Sequence, residues 1–436
     1  MRRSKGRRSN AAPAVFARRS KERVLEALNP VMAPVMLRLA VGVMGARKYE
    51  WLRFAPKLPR QLGGWARHRP WDDEPEPVAV PPALRSYAGT LRDAEAERQA
   101  FDEEPLHDFT KVHLPSFMWA LRRSWPFLLP TFPRRISGAR ECHEVRDRAV
   151  APRPREIPPA ELSRMIREEA RRLGISRVGF AKADVKYTYA EFPDPGDANI
   201  IVCVMEQDWR ATQKAPSAKA ERAAFRGYGE VLPKAARLVA FLQDLGYAAR
   251  PNDGTTLEAM AIHYGVEAGL GQLGLNGQLL TPEAGSRARL ALITTDAPME
   301  LGTPVDFGIP RICDECQLCV RRCPPGAIPL RRREKRGVTK AAIKPERCFP
   351  VMAATHGCAV CMKVCPIQRY GLPRVLEHHA ATGTILGKGT DELEGYVWPH
   401  DGRYYGPGEK PRMTRELLNP EGFGFDKTRT VPPPGV

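Results

Sequence analysis

The chain has 436 residues, of which 43% are hydrophobic, so it is long enough for two or three domains with a sizeable core. This length excludes a single small domain. The net charge of +18 favours acidic partners, such as nucleic acid, anionic lipid or an acidic protein, without choosing among them.

Residues 1–80 are basic and contain many prolines, and we interpret them as an N-terminal arm and linker. The paired arginines of MRRSKGRRSN are typical of an export signal, but the apolar stretch AAPAVFA is short and runs into Arg18 and Arg19. The next apolar run contains prolines and Arg38, which makes a poor membrane span. We therefore expect a cytoplasmic protein, with peripheral membrane contact by the N-terminus as an open alternative.

Residues 81–155 combine charged helical stretches with the aromatic segment FMWALRRSWPFLLPTFP, and we expect them to cover the core of another domain. The proline-rich stretch APRPREIPP predicts a boundary near residue 156.

Residues 156–304 alternate between helical and strand patterns. One predicted helix, PAELSRMIREEARRLG, places four apolar residues on one face and ends at Gly174; the four are Leu162, Ile166, Ala170 and Leu173. KAARLVAFLQDLGY and LEAMAIHYGVEAGLG predict two further helices, and RVGFAKA, NIIVCVM and LALITTD predict strands. The alternation predicts an α+β or α/β core.

Four glycines crowd one turn in AGLGQLGLNG, namely Gly269, Gly271, Gly274 and Gly277. Such density permits positive φ angles and a close approach of backbone to a flat or bulky ligand. No G-x-G-x-x-G opens a helix after a strand, so a dinucleotide fold is set aside. A tight connection between helix and strand is the alternative explanation.

The segment CDECQLCVRRCP has the C-x2-C-x2-C-x3-C-P spacing of a [4Fe–4S] unit, in which the fourth cysteine serves a second cluster. Shifting it by 42 residues places its last three cysteines on Cys358, Cys361 and Cys365, while Cys348 lies further upstream. We therefore predict a bacterial two-cluster ferredoxin-like domain over residues 305–370. The predicted ligands are Cys313, Cys316, Cys319 and Cys365 for one [4Fe–4S] cluster, and Cys323, Cys348, Cys358 and Cys361 for the other.

Zinc and disulfides are the alternatives for these cysteines. Zinc ribbons use two C-x2-C pairs with a longer spacer, and disulfides do not suit thiols bunched this closely. Cys203 lies in an apolar run and is interpreted as a small buried hydrophobe. Residues 371–436 are rich in glycine and aromatic residues, which indicates an ordered C-terminal wrap.

The stretch from Glu267 to Asp296 resembles the cobalamin-binding region of reductive dehalogenases, with AGLGQLGLNG, TPEAGSRARL and TTDAP in the family's order ahead of the cluster motifs. The resemblance covers roughly residues 156–375. It implies a nitroreductase-like α/β core that binds base-off cobalamin, reduced through the two clusters, and reductive removal of halide from a small organohalide. The implied cobalamin-binding residues are Gly269, Gly271, Gly274, Asn276, Gly277, Thr281 and Pro282.

The family also implies a tyrosine that supplies the proton and a basic residue that supports it. These match Tyr228 in FRGYGE and either Arg287 or Arg289, with Tyr247 and Tyr264 as competing tyrosines. A nearby cation stabilises the phenolate that remains after the proton has left. Without the family resemblance, we would interpret Tyr228 as a half-buried aromatic residue at the start of a helix.

Two other functions stay open. Epoxyqueuosine reductase, which acts on tRNA, has the same plan, but this chain has Leu275 where that family's glycine motif has lysine, and Thr255 where it has a catalytic aspartate, with Asp253 nearby. We therefore do not expect nucleic acid as a partner. The third function is plain electron transfer, in which the basic loop RRREKRGVTKAAIKPER between the cysteine motifs docks an acidic donor such as ferredoxin or flavodoxin.

Overall fold

The structure is a computed structural model that describes residues 128–146, 148–152, 156–188, 195–252, 259–335 and 338–418. The predicted N-terminal arm and linker, most of the covering region, and residues 419–436 of the C-terminal wrap lie outside the described residues. The predictions for Asp253 and Thr255 do so as well.

The described part contains helices and strands in alternation, with short 3₁₀ turns at Leu129–Thr131 and Val185–Tyr187. The helices are α1 Phe132–Arg146, α2 Pro159–Arg172, α3 Trp209–Thr212, α4 Ala218–Asp244, α5 Ala261–Glu267, α6 Ile309–Cys316, α7 Leu318–Arg321, α8 Pro345–Ala354, α9 Val360–Lys363, α10 Pro366–Tyr370, α11 Leu372–Thr382, α12 Asp391–Glu394 and α13 Arg415–Leu418. The strands are β1 Arg177–Lys182, β2 Asn199–Glu206, β3 Ala249–Asn252, β4 Gln272–Leu273, β5 Leu279–Leu280, β6 Ala288–Thr295, β7 Arg333–Lys335, β8 Val338–Lys340, β9 Tyr396–Val397 and β10 Tyr404–Tyr405.

An antiparallel sheet of order β1-β2-β6-β3 forms the centre of the first half. In β2, Ile201 and Cys203 pack in the core beneath α2 and α4, while Ile200 and Val202 pack on the opposite face near α5. Successive side chains of a strand point to opposite faces, so a strand covered on both faces is apolar throughout. The three strands predicted in this region are confirmed.

Helix α4 is longer than its pattern predicted. It begins after Ser217, whose hydroxyl caps the amide of Ala220 at 3.3 Å, and it continues through Pro233. The prediction of a start near Lys234 was wrong because proline usually ends a helix. As a result, Tyr228 lies in the middle of α4 and not at a helix start.

The two cysteine motifs have the same local backbone. Helices α7 and α9 are separated by the 42-residue shift found in the sequence, and each has four residues. The residue before each helix, Gln317 or Ala359, is left-handed, with φ of 54° and 59°. The predicted internal repeat is therefore present in the fold.

The segment after α11 packs into the same core as the cysteine motifs. Its buried side chains Trp398 and Tyr405 share that core with Ile312 and Val360. Arg322, which precedes Cys323 and is only 1% exposed, donates to the carbonyl oxygens of Glu394 at 2.9 Å and of Glu409. The buried arginine thus ties this segment to the first motif.

The described part of the chain is a mixed helix and sheet structure, which agrees with the α+β prediction. Among the residues that the structure describes, no helix combines the length and apolar character needed to cross a membrane.

Candidate functional site

The cysteines of the two motifs lie in two adjoining groups. The sulfur of Cys319 interacts electrostatically with those of Cys313, Cys316 and Cys365, and these four residues line one cavity. The sulfur of Cys348 interacts in the same way with those of Cys323, Cys358 and Cys361. We call these sets the first and second quartets. They coincide with the two ligand sets that the crossover rule predicts, and Cys319 also neighbours Cys361 of the other quartet.

The surroundings of the first quartet are apolar. A cavity between its four sulfurs is also lined by Ile312, Val364 and Ile367, and by Leu275 and Asn276 of the glycine-rich segment. Burial raises the pKa of the Cys316 thiol to about 12, so an uncoordinated sulfur here would hold its proton. Iron binds the thiolate form, and its positive charge offsets the repulsion among bunched sulfurs. The donor set therefore fits an iron–sulfur cluster.

The second quartet is closed by a strained turn. Cys348 lies within α8, so the first part of the connection to Cys358 is helical. The return is made by four successive left-handed residues, with φ between 45° and 76°; these are His356, Gly357, Cys358 and Ala359. Non-glycine residues in this region cost free energy and persist where the surroundings require them.

Tyr228 and Arg289 are in contact across the gap between α4 and β6. The guanidinium carbon of Arg289 lies 5.5 Å from the centre of the Tyr228 ring. Gly227 makes this possible, because a β-carbon there would come within 2.9 Å of the Arg289 Cγ atom. The Nη2 atom of Arg289 also lies 3.8 Å from the sulfur of Met362, the neighbour of Cys361. One arginine thus links the tyrosine to the second quartet.

The two competing tyrosines are buried in the protein's own core. Tyr264 is fully buried, and its hydroxyl accepts from the amide of Asp184 at 3.0 Å and donates to the carbonyl of the same residue at 3.1 Å. Burial raises the pKa of Tyr264 to about 12. Tyr247 is only 1% exposed. Tyr228 is the partly exposed member of the three.

Arg287 and Arg289 have different partners although they stand two residues apart. Arg287 is buried and forms an ion pair with the carboxylate of Glu206. Arg289 instead donates to the amide oxygen of Gln207, with a distance of 2.9 Å from Nε. The charge of Arg287 is therefore balanced by a carboxylate, whereas Arg289 meets a neutral acceptor beside Tyr228.

The glycine-rich segment is packed tightly against the rest of the chain. A β-carbon at Gly271 would overlap the Leu280 carbonyl group of the β4–β5 hairpin, and one at Gly277, where φ is +68°, would lie 2.7 Å from Ile343. Equivalent positions at Gly269 and Gly274 are also filled by protein atoms. Internal packing therefore accounts for these glycines on the side where a side chain would stand.

The remaining residues implied by the resemblance are buried nearby. The Asn276 side chain accepts from the amide of Gln278 at 3.3 Å, and the Thr281 hydroxyl accepts from the amide of Ala284 at 3.2 Å. The Pro282 carbonyl accepts from the amide of Leu372 at 2.8 Å, which attaches this turn to the helices after Cys365.

Sequence reasoning missed a set of polar atoms at the seam between the sheet domain and the cysteine motifs. Gln213, just after α3, donates to Gln368 of α10 at 3.2 Å. Four buried atoms in this region have no hydrogen-bond partner among the residues that the structure describes: Gln213 Oε1, Gln368 Nε2, Ser286 Oγ and Arg287 Nε. Buried polar atoms are normally paired, so the seam has unused capacity for a polar ligand. Only tertiary contacts bring these residues together, so the sequence carries no signal for the set.

The two cysteine quartets beside the mixed helix and sheet core fit an iron–sulfur protein. A family model for a 4Fe-4S dicluster domain matches residues 312–368. This match supports the cluster prediction over the zinc and disulfide alternatives.

Known proteins share longer parts of the chain. It is 31% identical over 176 residues to a tetrachloroethene reductive dehalogenase of Dehalobacter restrictus, covering 40% of this chain and 30% of that protein. The enzyme of the same name from Sulfurospirillum multivorans is 27% identical over 262 residues, covering 50% and 52%. Epoxyqueuosine reductase of Escherichia coli is 34% identical over 112 residues, covering 24% and 28%. The chain thus spans about half or less of the length of these relatives.

The fold is also found in solved structures. A catabolic reductive dehalogenase, NpRdhA, superposes with a TM-score of 0.59 at 22% identity, covering 73% of this chain and 51% of that one. Its K488Q variant gives a TM-score of 0.56 at 21% identity, covering 66% and 46%. The chain is therefore related in sequence to reductive dehalogenases and epoxyqueuosine reductases, which are oxidoreductases, and it shares the fold of the former.

Proposed function

We propose that the protein is a cobalamin-dependent iron–sulfur reductase that removes halide from a small organohalide. The observation that carries the proposal is the contact between Tyr228 and Arg289 at the seam beside the second quartet. A proton donor, a cation and a route for electrons meet there. The names of the relatives suggest the reaction class.

The eight cysteines of the two quartets are the proposed ligands of two [4Fe–4S] clusters. Because Cys319 and Cys361 are neighbours, electrons would pass between the quartets over a short distance. The contact from Met362 to Arg289 supports the second quartet as the exit toward the reaction site. Electrons would accordingly enter at the first quartet.

Cobalamin, in its base-off form, is the proposed cofactor of the seam. Its corrin carries peripheral amide groups, which suit the unpaired polar atoms of Gln213, Gln368, Ser286 and Arg287. Backbone groups of the glycine-rich segment and of the turn after it would complete the site; these belong to Gly269, Gly271, Gly274, Asn276, Gly277, Thr281 and Pro282. When bound, the group supplies a strongly reducing cobalt centre for cleavage of the carbon–halogen bond. The nitroreductase-like character of the core is part of this proposal.

Tyr228 is the proposed proton donor. Reductive dehalogenation consumes two electrons and one proton, releases halide and leaves a carbon–hydrogen bond in place of the carbon–halogen bond. The phenol would give its proton to the carbon as negative charge develops there. Arg289 would stabilise the phenolate that remains. Arg287 is the weaker candidate for this role because Glu206 balances its charge.

An acidic electron donor is the proposed macromolecular partner. In the loop RRREKRGVTK, Arg331 and Arg333 are exposed, whereas Arg332 is paired with Asp314. Val338 anchors the hairpin in the core that contains Tyr187. Neutralising Arg331 and Arg333 should slow reduction by ferredoxin or flavodoxin, more at low salt. An unchanged rate at every ionic strength would exclude this docking role. The cytoplasmic location remains a prediction.

Action on tRNA is the second candidate, favoured by the charge of +18 and the similarity to epoxyqueuosine reductase. One experiment distinguishes the two functions, and it uses protein that is purified without oxygen and reduced chemically. Halide release from a panel of halogenated phenols is measured beside conversion of epoxyqueuosine-containing tRNA. Halide release that depends on Tyr228 supports dehalogenation. Turnover of tRNA alone would replace it with the second function, and turnover of neither would favour plain electron transfer.

A further inference from the structure

Gln207 follows β2 and holds Arg289 in place. Its side chain is 2% exposed, and its backbone amide donates to the carbonyl of Arg287 at 2.8 Å. Both ends of the side-chain amide of Gln207 form hydrogen bonds. Its nitrogen donates to the Thr212 hydroxyl at 2.9 Å, and its oxygen accepts from both Nε and Nη2 of Arg289. The contact with Thr212 fixes which end of the amide faces the arginine.

The adjacent ion pair of Glu206 and Arg287 shows how a charged partner changes the electric field of an arginine. Glu206 and Arg287 bring together opposite charges, so their combined field at a distance is small. Gln207 offers Arg289 the same kind of acceptor oxygen without a charge. The positive charge of Arg289 therefore remains available to the Tyr228 ring on one side and to Met362 on the other.

We infer that Gln207 is a positioning residue, which orients Arg289 between Tyr228 and the second quartet and, as a neutral amide, preserves its positive charge. The inference rests on the proposed function for its effect on turnover. It also has a consequence that needs no substrate. A cation beside the second quartet favours the reduced, more negative cluster, so cancelling that charge lowers the reduction potential.

The informative change is Gln207→Glu, since the carboxylate keeps the size and the acceptor oxygens while cancelling the charge of Arg289. The Thr212 hydroxyl, which now donates to the carbonyl of Asp208 at 2.7 Å, would turn to donate to the new carboxylate. We expect the melting temperature to stay at or above the native value and the potential of one cluster to become more negative. If the native protein releases halide, kcat should fall roughly tenfold to a hundredfold. If Gln207 has only a packing role, the melting temperature, the cluster potentials and kcat should all keep their native values.

Gln243 provides a matched control, because it is another buried glutamine in the same fold. Its side chain is 2% exposed and donates to the carbonyls of Val145 at 2.7 Å and Ala249 at 3.0 Å. In Gln243→Glu, a carboxylate would face the two carbonyl oxygens of Val145 in α1 and Ala249 in β3. This variant should melt at a lower temperature with both cluster potentials native.

The experiment is an EPR-monitored redox titration of the holoprotein, purified without oxygen, for the native chain and the two variants. A native-like melting temperature with both potentials unchanged in Gln207→Glu would overturn the inference. If that variant does not fold, the same redox titration is carried out on Gln207→Met and Arg289→Gln. Both should make the potential of one cluster more negative, because the first removes the acceptor that orients Arg289 and the second removes its charge. Native potentials in Gln207→Met would overturn the inference. Because the titration uses no substrate, absence of dehalogenation would count against the proposed function alone.

Discussion

The guanidinium group of Arg289 stacks over the ring of Tyr228 at 5.5 Å, and the same group reaches the sulfur of Met362 at 3.8 Å. A phenol under a cation is suited to release a proton and remain as phenolate. Because Met362 adjoins Cys361, this chemistry would occur next to a source of electrons. The following predictions test the parts of this arrangement separately.

Replacing Tyr228 by Phe should lower turnover by roughly 10²- to 10⁴-fold, because the proton donor is removed while the ring remains. Iron content and melting temperature should stay native. Tyr264→Phe is the matched control. It removes the hydroxyl contacts with Asp184 and should cost about 1 kcal/mol of stability without loss of turnover. Native turnover in Tyr228→Phe would assign the proton to another group.

The two arginines should respond differently to substitution by Gln. Arg289→Gln should reduce turnover about tenfold or more with little change in melting temperature, since its partner is a neutral amide. Arg287→Gln should lower the free energy of unfolding by about 1–2 kcal/mol, because Glu206 loses a buried partner. Thermal melts and single-turnover rates on both variants distinguish the roles, and the reverse pattern would move the catalytic role to Arg287.

Loss of Cys348 should remove one cluster and leave the other. Cys348→Ser is expected to contain about four irons per chain, because the first quartet draws no ligand from α8. Cys203→Ala is the control, since that thiol lies in β2 and is fully buried. It should retain the native iron content. Full iron content in both Cys348→Ser and Cys348→Ala, of which the second offers the cluster no side-chain ligand, would show that another residue is the ligand.

His263 should make stability depend on pH. Both ring nitrogens are buried without hydrogen-bond partners in the described part of the chain, and burial lowers the pKa of His263 to about 3. In the unfolded chain its pKa is about 6.5. Between these values the unfolded state binds the proton and the folded state does not, so stability falls as pH decreases.

His263→Phe should reduce that dependence, since phenylalanine can keep the stacking on Tyr187, seen with the ring centres 5.2 Å apart. The measurement compares the melting temperatures of native protein and variant at pH 7 and pH 5. The native protein should lose more on acidification than the variant. Equal losses would exclude His263 as a source of the pH dependence.

The parts of this fold that the sequence could predict are those set by local pattern. The apolar run of β2 and the 42-residue repeat of the cysteine motifs each have one simple structural solution. The predicted start of α4 was wrong because proline usually breaks a helix. Here Pro233 lies within α4 and packs against Gly138 of α1.

The choice between Arg287 and Arg289 could not be made from the sequence. The two are the same residue type, one just before β6 and the other within it, and only the pairing of β6 with β2 gives one a carboxylate and the other an amide. The unpaired atoms of Gln213 and Gln368 could likewise not be predicted from the sequence, because those residues are far apart in the chain.

The proposed function is tested most directly by the metal content and EPR spectrum of protein expressed with cobalamin and purified without oxygen. A cobalamin-dependent reductase with two clusters should contain about eight irons and about one cobalt per chain, with the Co(II) signal of base-off cobalamin. Eight irons without cobalt under those conditions would contradict the proposed function. The protein would then be a carrier of electrons whose seam binds a different ligand.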